Sequence, residues 1–416
     1  MRLVYDLGIL LYGALLRVIA PFHGKAKRWV DGRKNLLRHI EQTIEVGHQH
    51  IWFHFASLGE FEQGRAVMEQ IRAKYPVEKI VVTFFSPSGY EIRKNSPLAD
   101  YVFYLPEDTA RNARRFIQLI NPKFVVFTKY EYWYHYFNEL HKRNIRLLMI
   151  SAIFREDQLF FKSYGGFYKN ILRKVSFFFT QNMDSVHMLK WIGITNAGLA
   201  GDTRFDRVIE LAKQKRSFAM LDAFVSHHKV LVAGSTWPAD EEKLATWAAQ
   251  HPDWKLVLAP HEIHEEHVQR IQRLFPDALR YSLRDHYSET EISTTQTLVI
   301  DNIGMLSSLY NYADITYIGG GFGAGIHNTL EAATYGKPII FGPRYEKFQE
   351  AIDLLTLGAA FAIENTAELE QVFGYLSAED NRKTAGDSAA NYVQQRAGAT
   401  QIIMKYIETE GLLVNS

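Results

Sequence analysis

The chain has 416 residues, 47% hydrophobic and 22% charged, with 47 Lys plus Arg against 46 Asp plus Glu. At roughly 150 residues per domain, this length predicts two or three domains with sizeable cores. The net charge of +1 excludes nucleic-acid binding through bulk positive charge, and the absence of cysteine removes a disulfide framework, a thiolate zinc site and a cysteine nucleophile.

Residues 3–22 read LVYDLGILLYGALLRVIAPF, an apolar run broken by Asp6 and Arg17. On a helix, Arg2, Asp6, Gly13, Arg17 and Gly24 fall near one stripe. That leaves a broad apolar surface with a narrow polar seam, the pattern of a helix lying in a membrane interface. Lys25, Lys27, Arg28, Arg33, Lys34 and Arg38 follow against Asp31 alone. Such a basic flank attracts anionic lipid and stays on the cytoplasmic side. A helix packed on the first domain is the alternative.

From residue 50 onward short apolar runs alternate with amphipathic stretches. Strands are expected at 50–55, 79–84, 124–128, 146–150 and 177–180, with helices between them at 61–74 and 109–120. The pattern pauses over the polar stretch 201–217 and restarts at 229–233, 255–259, 297–300, 315–318 and 338–341. Alternation of this kind implies βαβ units and parallel sheets. The expectation is an α/β chain of two doubly wound, Rossmann-like domains facing a cleft at the carboxyl ends of their strands, where ligands bind. Its parts are a membrane-associated helix (1–24), an N-terminal domain (25–210) and a C-terminal domain (211–416) whose last helix packs back on the first.

Candidate chemistry collects where strands end. Ser57-Leu58-Gly59-Glu60 links the first strand to a helix. There the helix dipole keeps Glu60 ionised, as a general base for a hydroxyl requires. Gly59 admits a ligand close to the backbone, and Ser57 serves as a cap or phosphate donor. Glu131, in a run of aromatics after the strand at 124–128, is either a sugar-binding carboxylate or a partner of Lys129. Arg155 and Lys162 follow the next strand as cations for a phosphate or carboxylate. In the second half, Gly234-Ser235-Thr236-Trp237-Pro238 forms a tight strand-to-helix junction able to hold a phosphate. His261, His264 and His267 miss the metalloprotease spacing. Residues 318–331 run Ile-Gly-Gly-Gly-Phe-Gly-Ala-Gly-Ile-His-Asn-Thr-Leu-Glu. This glycine loop fits neither the dinucleotide fingerprint nor the P-loop, yet its small residues and a helix expected to begin near His327 suit anion binding. Glu331 then falls one turn past His327, placed to hold ribose hydroxyls.

Together, the apolar N-terminus, Ser57-Leu58-Gly59-Glu60, the Glu131 region, Gly201-Asp202-Thr203-Arg204, Gly234-Ser235-Thr236, Pro260-His261, Gly319-Gly320, His327-Asn328-x-x-Glu331 and Gly336-Lys337-Pro338 resemble the Kdo transferases. These attach 3-deoxy-D-manno-octulosonic acid (Kdo) to the lipid A precursor during lipopolysaccharide biosynthesis. The resemblance implies a GT-B fold and an inverting, metal-independent transfer without cofactor, from CMP-Kdo to lipid IVA at the cytoplasmic face of the bacterial inner membrane. It makes Glu60 the base that takes the acceptor proton. Ser57, Gly59, Glu131, Arg155, Lys162 and Arg204 become acceptor- or anion-binding candidates. Ser235, Thr236, Gly320, Gly321 and His327 would hold the donor's phosphate or carboxylate, and Asn328 and Glu331 its hydroxyls. Pro260, His261, Asn302, Gly304 and Met305 would surround the cytidine. Two departures stand out: the family's P-R-H-P-E loop appears as Pro260-His261-Glu262, and no basic residue precedes His327-Asn328, so other cations must anchor the donor. Alternatives are another GT-B enzyme, such as a UDP-sugar transferase or UDP-GlcNAc 2-epimerase, and a membrane-associated nucleotide-sugar binder without catalysis.

Overall fold

The computed structural model describes residues 1–214 and 216–413. Contacts divide the chain into two compact units, Met1–Arg207 with Ala397–Ser416, and Val208–Arg396. The first unit carries β1 (His50–Phe55), β2 (Lys79–Phe84), β3 (Tyr101–Tyr104), β4 (Pro122–Thr128), β5 (Arg146–Ala152), β6 (Phe177–Thr180) and β7 (Ala197–Leu199). They pair in parallel in the order β3-β2-β1-β4-β5-β6-β7. The second carries β8 (Lys229–Thr236), β9 (Trp254–Pro260), β10 (Leu279–Arg280), β11 (Thr297–Val299), β12 (Ile315–Ile318), β13 (Ile339–Phe341) and β14 (Ala360–Ala362). Its order is β10-β11-β9-β8-β12-β13-β14, again parallel. Both sheets are doubly wound, as the alternation requires. The strands that sequence reading missed (β3, β7, β10 and β14) have two to four residues each and lie toward the sheet edges, too short for a periodic signal.

All six residues of β1 are buried, because helices cover both faces of the sheet. Alternate side chains enter separate cores: Trp52, Val125 and Leu147 join one, while Ile51, Phe53, Val126 and Leu148 join the other. The helix Ala399–Thr409 adds Ile403, Met404 and Ile407 to the latter. It is tied there by Asp206, which accepts from the backbone N–H and hydroxyl of Thr400, both at 2.7 Å.

In each sheet one gap between neighbouring strands is the point where chain order reverses: β1/β4 in the first and β8/β12 in the second. Loops leaving the carboxyl ends of such a pair diverge to opposite faces and open a crevice. Glu60 follows β1 in the first turn of the next helix and Glu131 lies in the loop after β4; Ser235 stands at the end of β8, and the glycine loop follows β12.

The N-terminal helix, Arg2–Ile19, uses its polar seam for docking. Asp6 meets His135 Nε2 at 2.6 Å, Arg17 pairs with Glu107, and buried Gly13 lets the backbone close on Glu107. Tyr5 donates to Asp108, which also accepts from the N–H groups of His135 and Tyr136. Outward it presents Leu3, Val4, Leu7, Leu10, Leu11, Leu15 and Val18, all exposed, and exposed Phe22 follows. Among the described residues no helix is long and apolar enough to cross a membrane. One member of the basic flank differs from expectation. Arg33 turns inward, donating to the carbonyls of Leu105 (2.9 Å) and Phe85 (2.8 Å) and stacking over Trp29 at 4.0 Å. Lys25, Lys27, Arg28, Lys34 and Arg38 remain exposed.

Candidate active site

At the end of β1 the chain passes through Ala56 and enters the helix Leu58–Lys74, with Ser57 as N-cap and Glu60 in the first turn. The Ser57 hydroxyl donates to Glu60 Oε2, so the cap residue aims the carboxylate instead of closing on the backbone. Gly59 is exposed, and a Cβ there would meet only Ser57 Oγ at 3.8 Å. Among the described residues no other atom outside its chain neighbours and its own helix backbone lies within 4 Å of that position, so a ligand can approach the backbone at this helix N-terminus.

Beyond β4, Lys129 turns through a left-handed conformation (φ 57°) that redirects the chain. Glu131 follows, its Oε2 accepting from Trp133 Nε1 at 2.8 Å and lying 3.3 Å from His54 Nε2. A cavity of about 560 Å³ opens beside it, lined among others by Tyr5 and Ile9 of the N-terminal helix, Trp133, Arg155 and Tyr168. Arg155 lies over the Tyr130 ring, 5.6 Å from its centre. Lys162 lines a second cavity of about 730 Å³ with Glu156, Asp157, His187 and Trp191. Arg204 donates through Nε and Nη2 to buried Asp202, both at 2.9 Å, which matches its charge within the protein.

In the second unit, Ser235 takes φ 54° and interrupts the β8–β9 register. The break turns Thr236 into the interior, where its hydroxyl donates to Glu241 Oε1 at 3.1 Å. Glu241 in turn meets His267 Nε2 at 3.0 Å, and His267 Nδ1 donates to the Glu262 carbonyl at 2.9 Å. Thr236 therefore braces the junction, while Ser235 is the partly exposed hydroxyl. Asp240 ties the glycine loop to this junction, accepting from Trp237 N–H and Gly320 N–H at 2.9 Å and from the Tyr317 hydroxyl at 2.8 Å. Close approach explains the glycines: a Cβ on Gly319 would sit 2.3 Å from Ser235 O, and one on Gly321 2.6 Å from Gly342 Cα.

The helix expected near His327 begins instead at Leu330 and spans only Leu330–Ala333, because the loop first folds back so that His327 N–H reaches Gly319 O at 3.2 Å. The imidazole of His327 stacks on His261 (4.2 Å between centres), which stacks on Trp237 (4.9 Å), and Trp237 Nε1 donates to His327 Nε2 at 3.1 Å. Burial, aided by His261 alongside, draws the His327 pKa down to about 4, so the ring is neutral at pH 7. Asn328 Nδ2 donates to Glu331 Oε1 at 3.0 Å, joining the two candidate hydroxyl-binding groups. Asn302 Nδ2 points at Met305 Sδ (3.0 Å) in the turn containing Gly304, and buried Asn302 Oδ1 has no partner among the described residues. Pro260 ends β9, and His261 N–H bonds to Thr236 O at 3.0 Å.

Sequence reasoning missed His54, Asp240, Glu241 and Arg344. Arg344 is an exposed cation that donates through Nη1 to Gly323 O and through its backbone N–H to Gly321 O. Its position three residues past the end of β13 was the available signal.

A family model described as "3-Deoxy-D-manno-octulosonic-acid transferase (kdotransferase)" matches residues 30–207. The 3-deoxy-D-manno-octulosonic acid transferase of Rickettsia felis is 26% identical over 377 residues, covering 86% of this chain and 79% of its own. That of Haemophilus influenzae is 24% identical over 375 residues, covering 86% and 87%. The chain is thus similar to Kdo transferases, by the family model over residues 30–207 and by these relatives over most of its length. It is a glycosyltransferase, and solved structures place its fold among the GT-B proteins. A Neisseria meningitidis UDP-GlcNAc 2-epimerase bound to UDP-GlcNAc superposes with TM-score 0.60 at 14% identity, over 87% of this chain and 100% of that one. MurG from Acinetobacter baumannii gives 0.55 at 13%, over 87% and 100%. Glu60, Glu131 and Arg204 fall inside the matched region.

Proposed function

We propose that the enzyme transfers Kdo from CMP-Kdo to a lipid A precursor at the cytoplasmic face of the inner membrane. The observation that carries this reading is the double use of one helix. Arg2–Ile19 turns an apolar face outward, and with Tyr5 and Ile9 it walls the cavity beside Glu131. An acceptor anchored by acyl chains meets both features at once: chains against the outer face, sugar in the cavity. The helix lies along the interface, held by its seam to the first unit, with exposed Lys25, Lys27 and Arg28 against anionic headgroups.

Glu60, aimed by Ser57, takes the proton from the acceptor hydroxyl as its oxygen attacks the anomeric carbon of Kdo from the face opposite CMP. The bond to CMP breaks, and its electron pair leaves on the phosphate. The leaving group is already a stable anion, so no acid need protonate it. The reaction needs one base and stabilisation of an oxocarbenium-like state. Glu131 grips an acceptor hydroxyl, and Arg155 and Lys162 suit the acceptor's anionic groups. On the second unit, Ser235, the amides of Gly320 and Gly321, and Arg344 offset the donor's anionic groups. Asn328 and Glu331 take its hydroxyls, and the turn at Asn302 to Met305 with His261 takes the base.

The test is incubation with CMP-Kdo and lipid IVA in detergent, followed by mass spectrometry. The expected result is a product heavier by one or more Kdo units. An unchanged acceptor with intact donor overturns the reading.

A further inference from the structure

The loop after β4 is coupled to the core of the first sheet through a chain of side chains that starts at Trp52, five residues before Ser57. Trp52 Nε1 lies 2.8 Å from Thr83 Oγ1, Thr83 Oγ1 lies 2.9 Å from His54 Nδ1, and His54 Nε2 lies 3.3 Å from Glu131 Oε2. Trp52, Thr83 and His54 are all fully buried. The direction of this chain follows from counting protons. An indole is a donor only, so Thr83 must accept from Trp52. The single hydroxyl proton of Thr83 then has two acceptors in reach, Phe53 O at 3.5 Å and His54 Nδ1 at 2.9 Å. The shorter contact takes it. Nδ1 of His54 is thereby an acceptor, and the ring proton sits on Nε2, pointed at Glu131.

Glu131 receives this donor on the same oxygen, Oε2, that Trp133 Nε1 already holds at 2.8 Å. Among the described residues no donor meets Oε1, while Glu131 lines the cavity beneath the N-terminal helix. One carboxylate oxygen is thus clamped and the other left to a ligand. The ring of His54 packs against Phe127, with centres 4.7 Å apart and the planes tilted by 51°.

We propose that His54 is a positioning residue for the transfer: by donating from Nε2 it fixes the Glu131 carboxylate so that Oε1 accepts from an acceptor-sugar hydroxyl. This rests on the reading of Glu131 as an acceptor-binding group. Losing a hydrogen bond to a charged group typically costs roughly 10- to 100-fold.

The experiment compares His54→Asn, which still accepts from Thr83 but cannot reach Glu131, with His54→Gln, whose amide reaches Glu131. Both are measured alone and in a Glu131→Ala background, with CMP-Kdo and lipid IVA. His54→Asn is expected to lower kcat/KM for the acceptor roughly 10- to 100-fold, leave KM for CMP-Kdo within about twofold, and cost nothing further in Glu131→Ala. His54→Gln should recover most of the loss. Equal losses in both backgrounds, a matching rise in donor KM, or no recovery by Gln would overturn the proposal. A second readout does not depend on turnover. In ¹⁵N-histidine-labelled protein, His54 should appear as the Nε2–H tautomer, and Nδ1–H refutes the proton count directly. Wild type that leaves lipid IVA unmodified while His54 carries Nε2–H would instead sink the substrate assignment and leave the positioning chain standing.

Discussion

The outward face of the N-terminal helix supplies the most quantitative test of membrane docking. Leu7 and Leu11 sit one turn apart, 57% and 61% exposed, and neither fills the core. Burying a leucine fully is worth roughly 2 kcal/mol, so sinking the exposed fractions of both into the acyl boundary contributes about 2.4 kcal/mol. Leu7→Gln/Leu11→Gln removes that term while keeping good helix formers at both positions. Partitioning onto vesicles should therefore weaken roughly 50-fold, at 1.4 kcal/mol per decade. Sedimentation with vesicles containing about a third phosphatidylglycerol measures it, and thermal unfolding without vesicles should not change. Raising salt should weaken the residual binding further, because exposed Lys25, Lys27, Arg28 and Arg38 act through screened charge. A partition coefficient within twofold of wild type would refute the reasoning.

Three further outcomes are expected. Glu60→Gln should lower turnover by roughly 10²–10⁴ while CMP still binds by calorimetry, and retained turnover would remove the base assignment. His327 is drawn down to about 4 from an ordinary 6.5, so the unfolded chain takes up its proton first as pH falls. The stability tied to the neutral ring is present above about pH 6.5 and is lost as pH falls towards 4, by on the order of 2 kcal/mol in this partly buried setting. His327→Asn should flatten that part of the melting-temperature profile, and an unchanged slope would count against it. Gly321→Ala sets a Cβ 2.6 Å from Gly342 Cα, backbone against backbone. It should cost about 1–3 kcal/mol in chemical denaturation and weaken CMP binding; a wild-type midpoint would contradict the tight packing.

Much of the frame was legible because parallel strands buried on both faces read as unbroken apolar runs, as His50–Phe55 and Lys79–Phe84 do. The motif-bearing loops could be placed because each follows such a run directly. What stayed hidden depended on where side chains turn. His54 reads as one more strand residue, and its partners Thr83 and Glu131 lie 29 and 77 positions away. Thr236 reads as a phosphate-holding hydroxyl of the strand-to-helix junction, whereas the register break at Ser235 turns it inward onto Glu241. Arg33 counted as a surface charge until the carbonyls of Phe85 and Leu105 claimed it. Each is a long-range contact or a local departure from regular geometry, which periodicity cannot register.

Three of the left-handed residues among those described share a location. Lys129, Ser151 and Ser235 hold left-handed backbone without being glycine, and all three stand at or next to the carboxyl end of a sheet strand. Left-handed conformations cost an L-residue roughly 1–2 kcal/mol, and packing around them must impose that geometry. Lys129 redirects the chain so that Glu131 comes back to His54. Ser235 turns Thr236 inward onto Glu241, which in turn meets His267, leaving its own side chain partly exposed. Regular strands would carry these side chains alternately into the two cores. The strained residue is what converts the end of a packing element into a rim of polar groups, so the same step that costs stability makes a site possible.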